Sequence, residues 1–220
     1  DTNQNFTLES KSYFSDYDVT LFRFRHKNLG TVHYHIDAKD KENAFAFNFR
    51  TMPDNDTGKP HILEHIALCG SEKYPVRDPF FNMLKRSLNT FMNAWTGQDF
   101  TSYPFSTQNK KDFYNLLSVY AESTFAPLLN KYDFLQEGWR FDFEEEGNPQ
   151  SKLKYKGVVY NEMKGVYENP KSIFMERMQN HLLKGTVYAF NSGGDPPAIP
   201  TLSHEELKEF HKKNYHPSNG

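Results

Sequence analysis

The chain has little cysteine and no long hydrophobic run, and each absence excludes a class of protein. Cys69 is the only cysteine among 220 residues, so an internal disulfide framework is excluded. No apolar stretch approaches the roughly 20 residues that span a bilayer, and we therefore expect a soluble chain without a membrane partner. The first ten residues lack a basic start followed by an apolar segment, so we expect no targeting sequence in them.

An excess of charge of either sign is also missing. The 26 basic and 28 acidic residues give a formal net charge of -2, which offers no general electrostatic basis for binding nucleic acid. Small molecules or peptides are therefore the expected partners. The length fits one large domain with a substantial core.

Alternation of apolar and polar residues predicts three strands between Val19 and Phe49. Short polar turns join them, which favours a meander of antiparallel neighbours. In the middle strand, Val32, Tyr34 and Ile36 share one face, and we expect that face to be buried.

Helical patterns dominate the rest of the chain. Helices are predicted at residues 60–70, 78–88 and 155–183, the last with a possible interruption at Pro170. A strand, turn and strand surround Gly97, Asn109 caps a long helix, and Ser203 with Glu206 forms a capping box for the final one. Strands grouped before helices predict an α+β fold, a two-layer sandwich with helices packed on one face of a largely antiparallel sheet.

The stretch HILEH places His61 and His65 one helical turn apart, where both ring nitrogens can reach one zinc ion at about 2.0–2.1 Å. Glu64 stands beside them, and Ile62 and Ile66 provide a separate apolar stripe for packing. The order His-x-x-Glu-His is the inverzincin pattern. Taken alone, the five residues also fit a helix whose histidines are satisfied by water or backbone.

Glu162, in the stretch VVYNEMKGV, is the candidate for a third ligand. Val158, Met163 and Val166 surround it in the helical pattern, so we expect its carboxylate beside or within an apolar stripe. An unpaired charge is costly there, and a cation would offset that cost. The alternative is a surface glutamate paired with a lysine.

Three other residues of metal-binding types have simpler interpretations. Alternation places His33 and His35 on the polar face of their strand, which predicts solvated side chains rather than a metal site. Cys69 lacks a second thiol and is predicted to be a small buried core residue.

The chain also carries long ordered motifs, among them HILEHIALCGSEKYPVRDPFFNMLKRSLNTFMNAWTGQDFTSYPFSTQN, QEGWR, GVVYNEMKGVY, SGGDPPAIP and NYHPSNG. Together they resemble those of the pitrilysin-like inverzincin peptidases, and more narrowly the presequence protease and falcilysin branch. The resemblance covers nearly the whole chain from about Phe6 onward. It implies that His61, His65 and Glu162 bind one zinc ion and that Glu64 is the general base that activates the zinc-bound water.

The resemblance further implies that Asn93 and Ala94 lie on an exposed sheet edge and pair with the backbone of a peptide substrate. Without it, these two residues indicate only an ordinary sheet turn. Backbone pairing tolerates many side chains, so the implied substrates are short unstructured peptides such as cleaved targeting presequences. The implied compartment is the mitochondrial matrix, with a plastid-type organelle or an acidic vacuole as alternatives.

Two departures from the family pattern shape the interpretation. Tyr155 stands where other branches carry an additional glutamate, which fits the presequence protease branch. Members of this branch are several times longer, and an Arg and a Tyr from their far half help stabilise the reacting carbonyl. Residues 1–220 are therefore interpreted as an N-terminal catalytic domain, incomplete at its C-terminal end, whose partner is the remaining C-terminal part of a longer chain. We expect weak or no turnover from it alone.

The sequence thus supports a zinc-dependent endopeptidase domain. The alternative is a non-catalytic peptide-binding or assembly subunit of the same fold. Retention of Glu64 together with His61, His65 and Glu162 favours the enzyme, because an inactive subunit has no evident need for all four.

Overall fold

The computed structural model describes residues 4–220 and shows an α+β fold in which every strand pairing of that part is antiparallel. The strands are β1 (Phe6–Phe14), β2 (Val19–His26), β3 (Val32–Asp37), β4 (Asn43–Arg50), β5 (Asn89–Met92), β6 (Trp95–Thr96), β7 (Phe100–Thr107), β8 (Arg140–Phe143) and β9 (Leu153–Lys156). The helices are α1 (Lys59–Ala67), α2 (Pro79–Arg86), α3 (Lys110–Phe125), α4 (Lys131–Glu137), α5 (Val158–Val166), α6 (Pro170–Leu182) and α7 (His204–Asn214). Among the helices described, none combines the length and the apolar character that a membrane crossing requires.

The central sheet has the strand order β4-β7-β5, with β6 also paired to β7. Phe47 and Phe49 of β4 share one face, and their rings contact Phe125 of α3 at centroid distances of 5.4 and 5.5 Å. Phe105 of β7 contacts Tyr120 of the same helix at 5.1 Å. The residues of β4 that alternate with these phenylalanines are exposed. This arrangement confirms the predicted packing of helices on one face of the sheet.

Helix α1 lies at the centre of the core. Ile62, Leu63 and Ile66 are completely or almost completely buried, and the helix packs against α4, α7 and β6. Helix α5 is anchored nearby by Val159 and Met163, which are also buried. The apolar side of each helix is therefore fixed, and the polar side of α1 faces Glu162 in the middle of α5.

The local signals for helix and strand ends are largely confirmed. The Asn109 side chain accepts hydrogen bonds from the backbone N–H groups of Lys111 and Asp112 at the start of α3. Ser203 and Glu206 form the predicted capping box of α7. The strand, turn and strand around Gly97 are β6 and β7. These signals are reliable because each depends on neighbours within a few residues.

The predicted meander is wrong at its third strand. β2 and β3 pair as expected, but β4 pairs with β7 in the central sheet, while β1, β2 and β3 form a separate sheet. The predicted buried face of β3 is also wrong, because Tyr34 is 58% and Ile36 62% exposed. His33 and His35 lie instead on the aromatic face, although both remain exposed; their rings approach phenylalanines of β2 at 6.2 and 5.9 Å.

The long helix predicted from residue 155 is divided. Tyr155 belongs to β9, and α5 begins only after Gly157. Helix α6 then starts at Pro170, with the Asn169 side chain accepting from the Lys171 backbone N–H. Proline has no N–H to donate, so it fits the first turn of a new helix and confirms the predicted interruption.

Candidate metal centre

The two histidines of α1 are brought to one side of the helix. The helix begins after Gly58, whose φ of 70° is left-handed, and Pro60 occupies its first turn. His61 and His65 follow one turn apart, with ring centroids separated by 5.0 Å. Their side chains are 12% and 25% exposed, so both border the surface of the core. The predicted common face is therefore present.

Glu162 of α5 reaches the same point from the other side. Its Oε1 lies 3.7 Å from Nε2 of His61, and its Oε2 lies 4.0 Å from Nε2 of His65. One ligand atom from each of the three residues can be chosen so that all lie within 4.8 Å of one another. Tetrahedral zinc separates its nitrogen and oxygen ligands by about 3.4 Å, so a small contraction of the side chains accommodates one ion.

The environment predicted for Glu162 is wrong, although its position is right. Its side chain is 51% exposed, and Val158 and Val166 on either side are each 44% exposed. Only Met163 of the predicted apolar stripe is buried. The Glu162 carboxylate therefore lies at the surface of a cavity and not in the core. A cation would be attracted to it because the carboxylate lies close to two histidines, and not because it is buried.

The outer nitrogen of each histidine also has a partner. Nδ1 of His61 lies 3.1 Å from the carbonyl oxygen of Gly193, and Nδ1 of His65 lies 3.1 Å from Oε2 of Glu137. Both acceptors stand on the side of the ring away from Glu162. The Nε2 atoms are thus the ones that face a shared ligand position, which is the donor arrangement that suits zinc.

The charges around His65 affect its protonation. Burial lowers the pKa of His65, but the hydrogen bond with Glu137 and the nearby carboxylates outweigh that effect, and the pKa is raised overall. For Glu137, burial raises the pKa, yet hydrogen bonds from His65 and Gln136 dominate and lower it. The two groups therefore form a mutually stabilising pair in the metal-free chain.

Glu64 lies next to the cluster but does not join it. Glu64 is only 8% exposed, and its Oε2 accepts a 2.7 Å hydrogen bond from the Thr96 hydroxyl of β6. It lines the same cavity as the three ligand candidates.

A cavity of about 720 Å³ opens beside these residues. Its apolar wall comprises Leu68, Phe80, Phe81, Leu84, Met92, Trp95 and Val158. An apolar wall beside a polar cluster suits a peptide whose side chain is buried while its backbone is held near the reactive groups.

Asn93 and Ala94 also line the cavity. They connect β5 and β6, which both pair with β7 and leave their other side as an edge of the central sheet in the described part of the chain. The Asn93 backbone N–H donates to the Pro104 carbonyl, and its own carbonyl accepts from the Tyr120 hydroxyl. Their predicted pairing with a substrate backbone remains a prediction.

The remaining sequence candidates lie elsewhere or in other roles. His33 and His35 are not part of the metal cluster found in residues 4–220. Cys69 is only partly buried and lines the cavity rather than the core, which corrects the core prediction; its thiol approaches the His65 carbonyl at 3.5 Å. Glu137 and Thr96 were not predicted as site residues.

Comparison with known proteins finds proteases among the relatives of this chain. Mitochondrial presequence proteases of Mus musculus and Drosophila melanogaster are 52% and 51% identical to the chain over 214 and 218 residues. These alignments cover 97% and 99% of this chain but 21% of each relative. The chain therefore spans about a fifth of the length of the curated relatives it matches.

Solved structures show the same fold at lower identity. The crystal structure of pitrilysin matches with a TM-score of 0.65 and 18% identity, covering 99% of this chain and 22% of that one. A protease from Helicobacter pylori matches with a TM-score of 0.70 and 20% identity, covering 90% of this chain and 44% of that one. These results, with the presequence protease matches, confirm the resemblance drawn from the sequence motifs. The family model for insulinase, peptidase family M16, matches residues 50–163, and the chain belongs to that family.

Proposed function

We propose that residues 1–220 form the N-terminal catalytic domain of a zinc-dependent endopeptidase that degrades short unstructured peptides. The observation that carries this proposal is the convergence of Nε2 of His61, Nε2 of His65 and the Glu162 carboxylate, with Glu64 beside them. Three protein ligands leave a fourth zinc position open, as catalytic sites require. The relatives named mitochondrial support a mitochondrial location.

The proposed mechanism assigns a separate task to each side chain. When bound, zinc polarises the scissile carbonyl and lowers the pKa of a water molecule toward about 7. Glu64 accepts the proton of the attacking water and delivers it to the leaving amine nitrogen. The Thr96 hydroxyl, 2.7 Å from Glu64 Oε2, holds that carboxylate toward the cavity. No covalent enzyme intermediate is needed.

The peptide is proposed to bind along the sheet edge. Asn93 and Ala94 would pair with its backbone, while the apolar cavity wall would take a hydrophobic side chain next to the cleaved bond. The remaining C-terminal part of a longer chain is the proposed partner that closes the substrate chamber. For this reason the 220-residue chain alone is expected to show weak or no turnover.

Metal content tests the first part of the proposal. We expect the purified wild-type chain to bind zinc stoichiometrically, and His65→Ala and Glu162→Ala to lose it, because each removes a ligand. His33→Ala is the matched control, since His33 lies outside the cluster and should not affect zinc binding. A folded wild-type chain without zinc, or a Glu162→Ala chain that retains full affinity, would contradict the metal site.

Peptide cleavage tests the second part. In the full-length protein, Glu64→Gln should keep its zinc and lose cleavage of an unstructured peptide by at least about 100-fold, since general base catalysis contributes that much or more. The alternative function is a non-catalytic peptide-binding or assembly subunit of the same fold. Zinc-free, uncut binding of the same peptide by the full-length protein would favour that alternative and refute the enzyme.

A further inference from the structure

Glu137 differs from the other residues around the cluster because it touches a ligand without facing the metal position. It is the last residue of α4, its side chain is 13% exposed, and its Oε2 meets His65 Nδ1 at 3.1 Å. Its Oε1 accepts a 3.0 Å hydrogen bond from the Gln136 side chain. Gln136 in turn accepts from Arg77 at 2.9 Å. Both carboxylate oxygens are therefore occupied, and the group is held in place.

The contact determines which nitrogen of His65 carries the proton. A carboxylate accepts hydrogen bonds but cannot donate one when ionised, so the Nδ1 atom of His65 must be the N–H donor. In a neutral ring this leaves the lone pair on Nε2, which is the nitrogen that faces Glu162. The Gly193 carbonyl imposes the same tautomer on His61. The two acceptors thus leave the Nε2 lone pair of each ring available to a cation in the metal-free chain.

Of the two acceptors, only Glu137 adds negative charge and only Glu137 can be removed by changing a side chain. The carbonyl of Gly193 belongs to the backbone of a loop packed against Gly58, where a Cβ atom on Gly58 would lie 2.8 Å from that oxygen. Glu137 comes instead from a helix that packs against both α1 and α5, which carry the ligands. Glu137 is therefore held in place by the packing of α4 against α1 and α5, the two helices that carry the proposed ligands.

We propose that Glu137 is a positioning residue for the metal site, which fixes the Nδ1–H tautomer and the ring orientation of His65 and thereby strengthens zinc binding. This inference rests on the proposed zinc function. Carboxylates that hold a ligand histidine in this way raise metal affinity by about 10- to 100-fold. Glu137 belongs to the stretch QEGWR, which contributes to the family resemblance, but its contact with His65 becomes visible only in the packing of α4 against α1.

Zinc affinity and ring tautomer together test the proposal. Zinc affinity of the purified chain is measured by competition with a chromophoric chelator, and the tautomer of His65 in the metal-free chain is measured by long-range proton–nitrogen NMR at alkaline pH. We expect Glu137→Ala to weaken zinc binding about 10- to 100-fold and to populate the Nε2–H tautomer. Glu137→Gln should lose less affinity, because its amide oxygen still accepts the N–H.

Asp133→Ala is the matched control, since it removes the same charge one turn earlier on α4 without a hydrogen bond to a ligand. It should change neither readout. Wild-type His65 protonated on Nε2, or Glu137→Ala with unchanged zinc affinity, would overturn the inference. A wild-type chain that binds no zinc overturns the proposed function instead, and the tautomer then decides by itself whether Glu137 fixes the ring.

Discussion

At the scale of single residues, the hydroxyl of Thr96 donates a hydrogen bond to the carboxylate of Glu64, the proposed general base. Glu64 is almost fully buried, and a buried carboxylate without a hydrogen-bond donor is expensive. Thr96 supplies that donor at 2.7 Å and comes from β6, the strand that packs on α1. The Glu64 carboxylate is therefore oriented by a hydrogen bond from the sheet and not from its own helix.

Replacing this hydroxyl predicts a selective loss of rate. Thr96→Val in the full-length protein should lower kcat for peptide cleavage roughly tenfold, because a hydrogen bond to a charged group contributes about 1.5 kcal/mol or more. Zinc stoichiometry should stay unchanged, as Thr96 does not contact a ligand. Thr90→Val is the control and should retain full kcat, since it removes a β5 hydroxyl that donates to Glu42 rather than to Glu64. Equal losses in the two variants would contradict a specific role of Thr96.

The sequence predicted some of these residues and not others for a physical reason. Spacing alone places His61 and His65 one helical turn apart with Glu64 beside them, and the resemblance to the peptidase family supplies their predicted roles. Glu137 and Thr96 reach the site only through the packing of other elements. No local sequence pattern predicts the contact of Glu137 with His65 or that of Thr96 with Glu64, because each joins two separate elements.

At the scale of elements, Gly58 connects the start of α1 to the Gly193 loop. Its φ of 70° is a conformation that residues with a Cβ rarely adopt, and a Cβ there would lie 2.8 Å from the Gly193 carbonyl oxygen. That oxygen is the partner of His61 Nδ1. Gly58 therefore allows both the close approach of the Gly193 loop and the contact between that loop and His61.

Substitution of Gly58 by alanine should damage both stability and metal binding. Left-handed strain costs about 1–2 kcal/mol, and the clash with the loop adds to it. Gly30→Ala is a matched control, since Gly30 has a φ of 73° but no atom within 4 Å of an added Cβ. Urea unfolding and zinc affinity, measured on both variants, should show strain alone for Gly30→Ala and strain with weakened zinc binding for Gly58→Ala. Equal changes of stability and zinc affinity in the two variants would contradict a role of the Gly193 loop in metal binding.

Helix starts were predicted well where a capping residue or a proline marks them. Strand pairing was predicted poorly, because the paired strands are far apart in the sequence. Asn109, Ser203 and Pro170 identify helix starts because caps act within one turn. The pairing of β4 with β7 was missed because alternation identifies a strand without naming its neighbour. Helix α4, which carries Glu137, was also missed; its seven residues are too few for a clear periodic pattern.

At the scale of the whole molecule, helix α6 packs through its polar side and leaves an apolar side exposed. No residue of α6 is buried, and Phe174, Met178 and Leu182 lie four residues apart along one face. Phe174 is 65% and Leu182 73% exposed. A continuous apolar stripe of this kind is uncommon on a monomeric surface and tends to acquire a partner.

This stripe predicts concentration-dependent association of the chain. The double variant Phe174→Glu with Leu182→Glu should sediment as a smaller species than wild type at high protein concentration, because charge opposes burial of the stripe. Tyr132→Glu is the control, since Tyr132 is 79% exposed but belongs to α4. A wild-type chain that sediments as a monomer at all concentrations, or an equal effect of Tyr132→Glu, would contradict the prediction.

The division of the proposed metal ligands between α1 and α5 has a consequence for the timing of biosynthesis. A ribosome adds about 5–20 residues per second, so roughly 5–20 seconds separate the addition of His65 from that of Glu162. During that interval the growing chain holds two histidines and a base but lacks the third ligand. Under the proposed function, the hydrolytic centre is assembled only after α5 has been made and has packed against its neighbours.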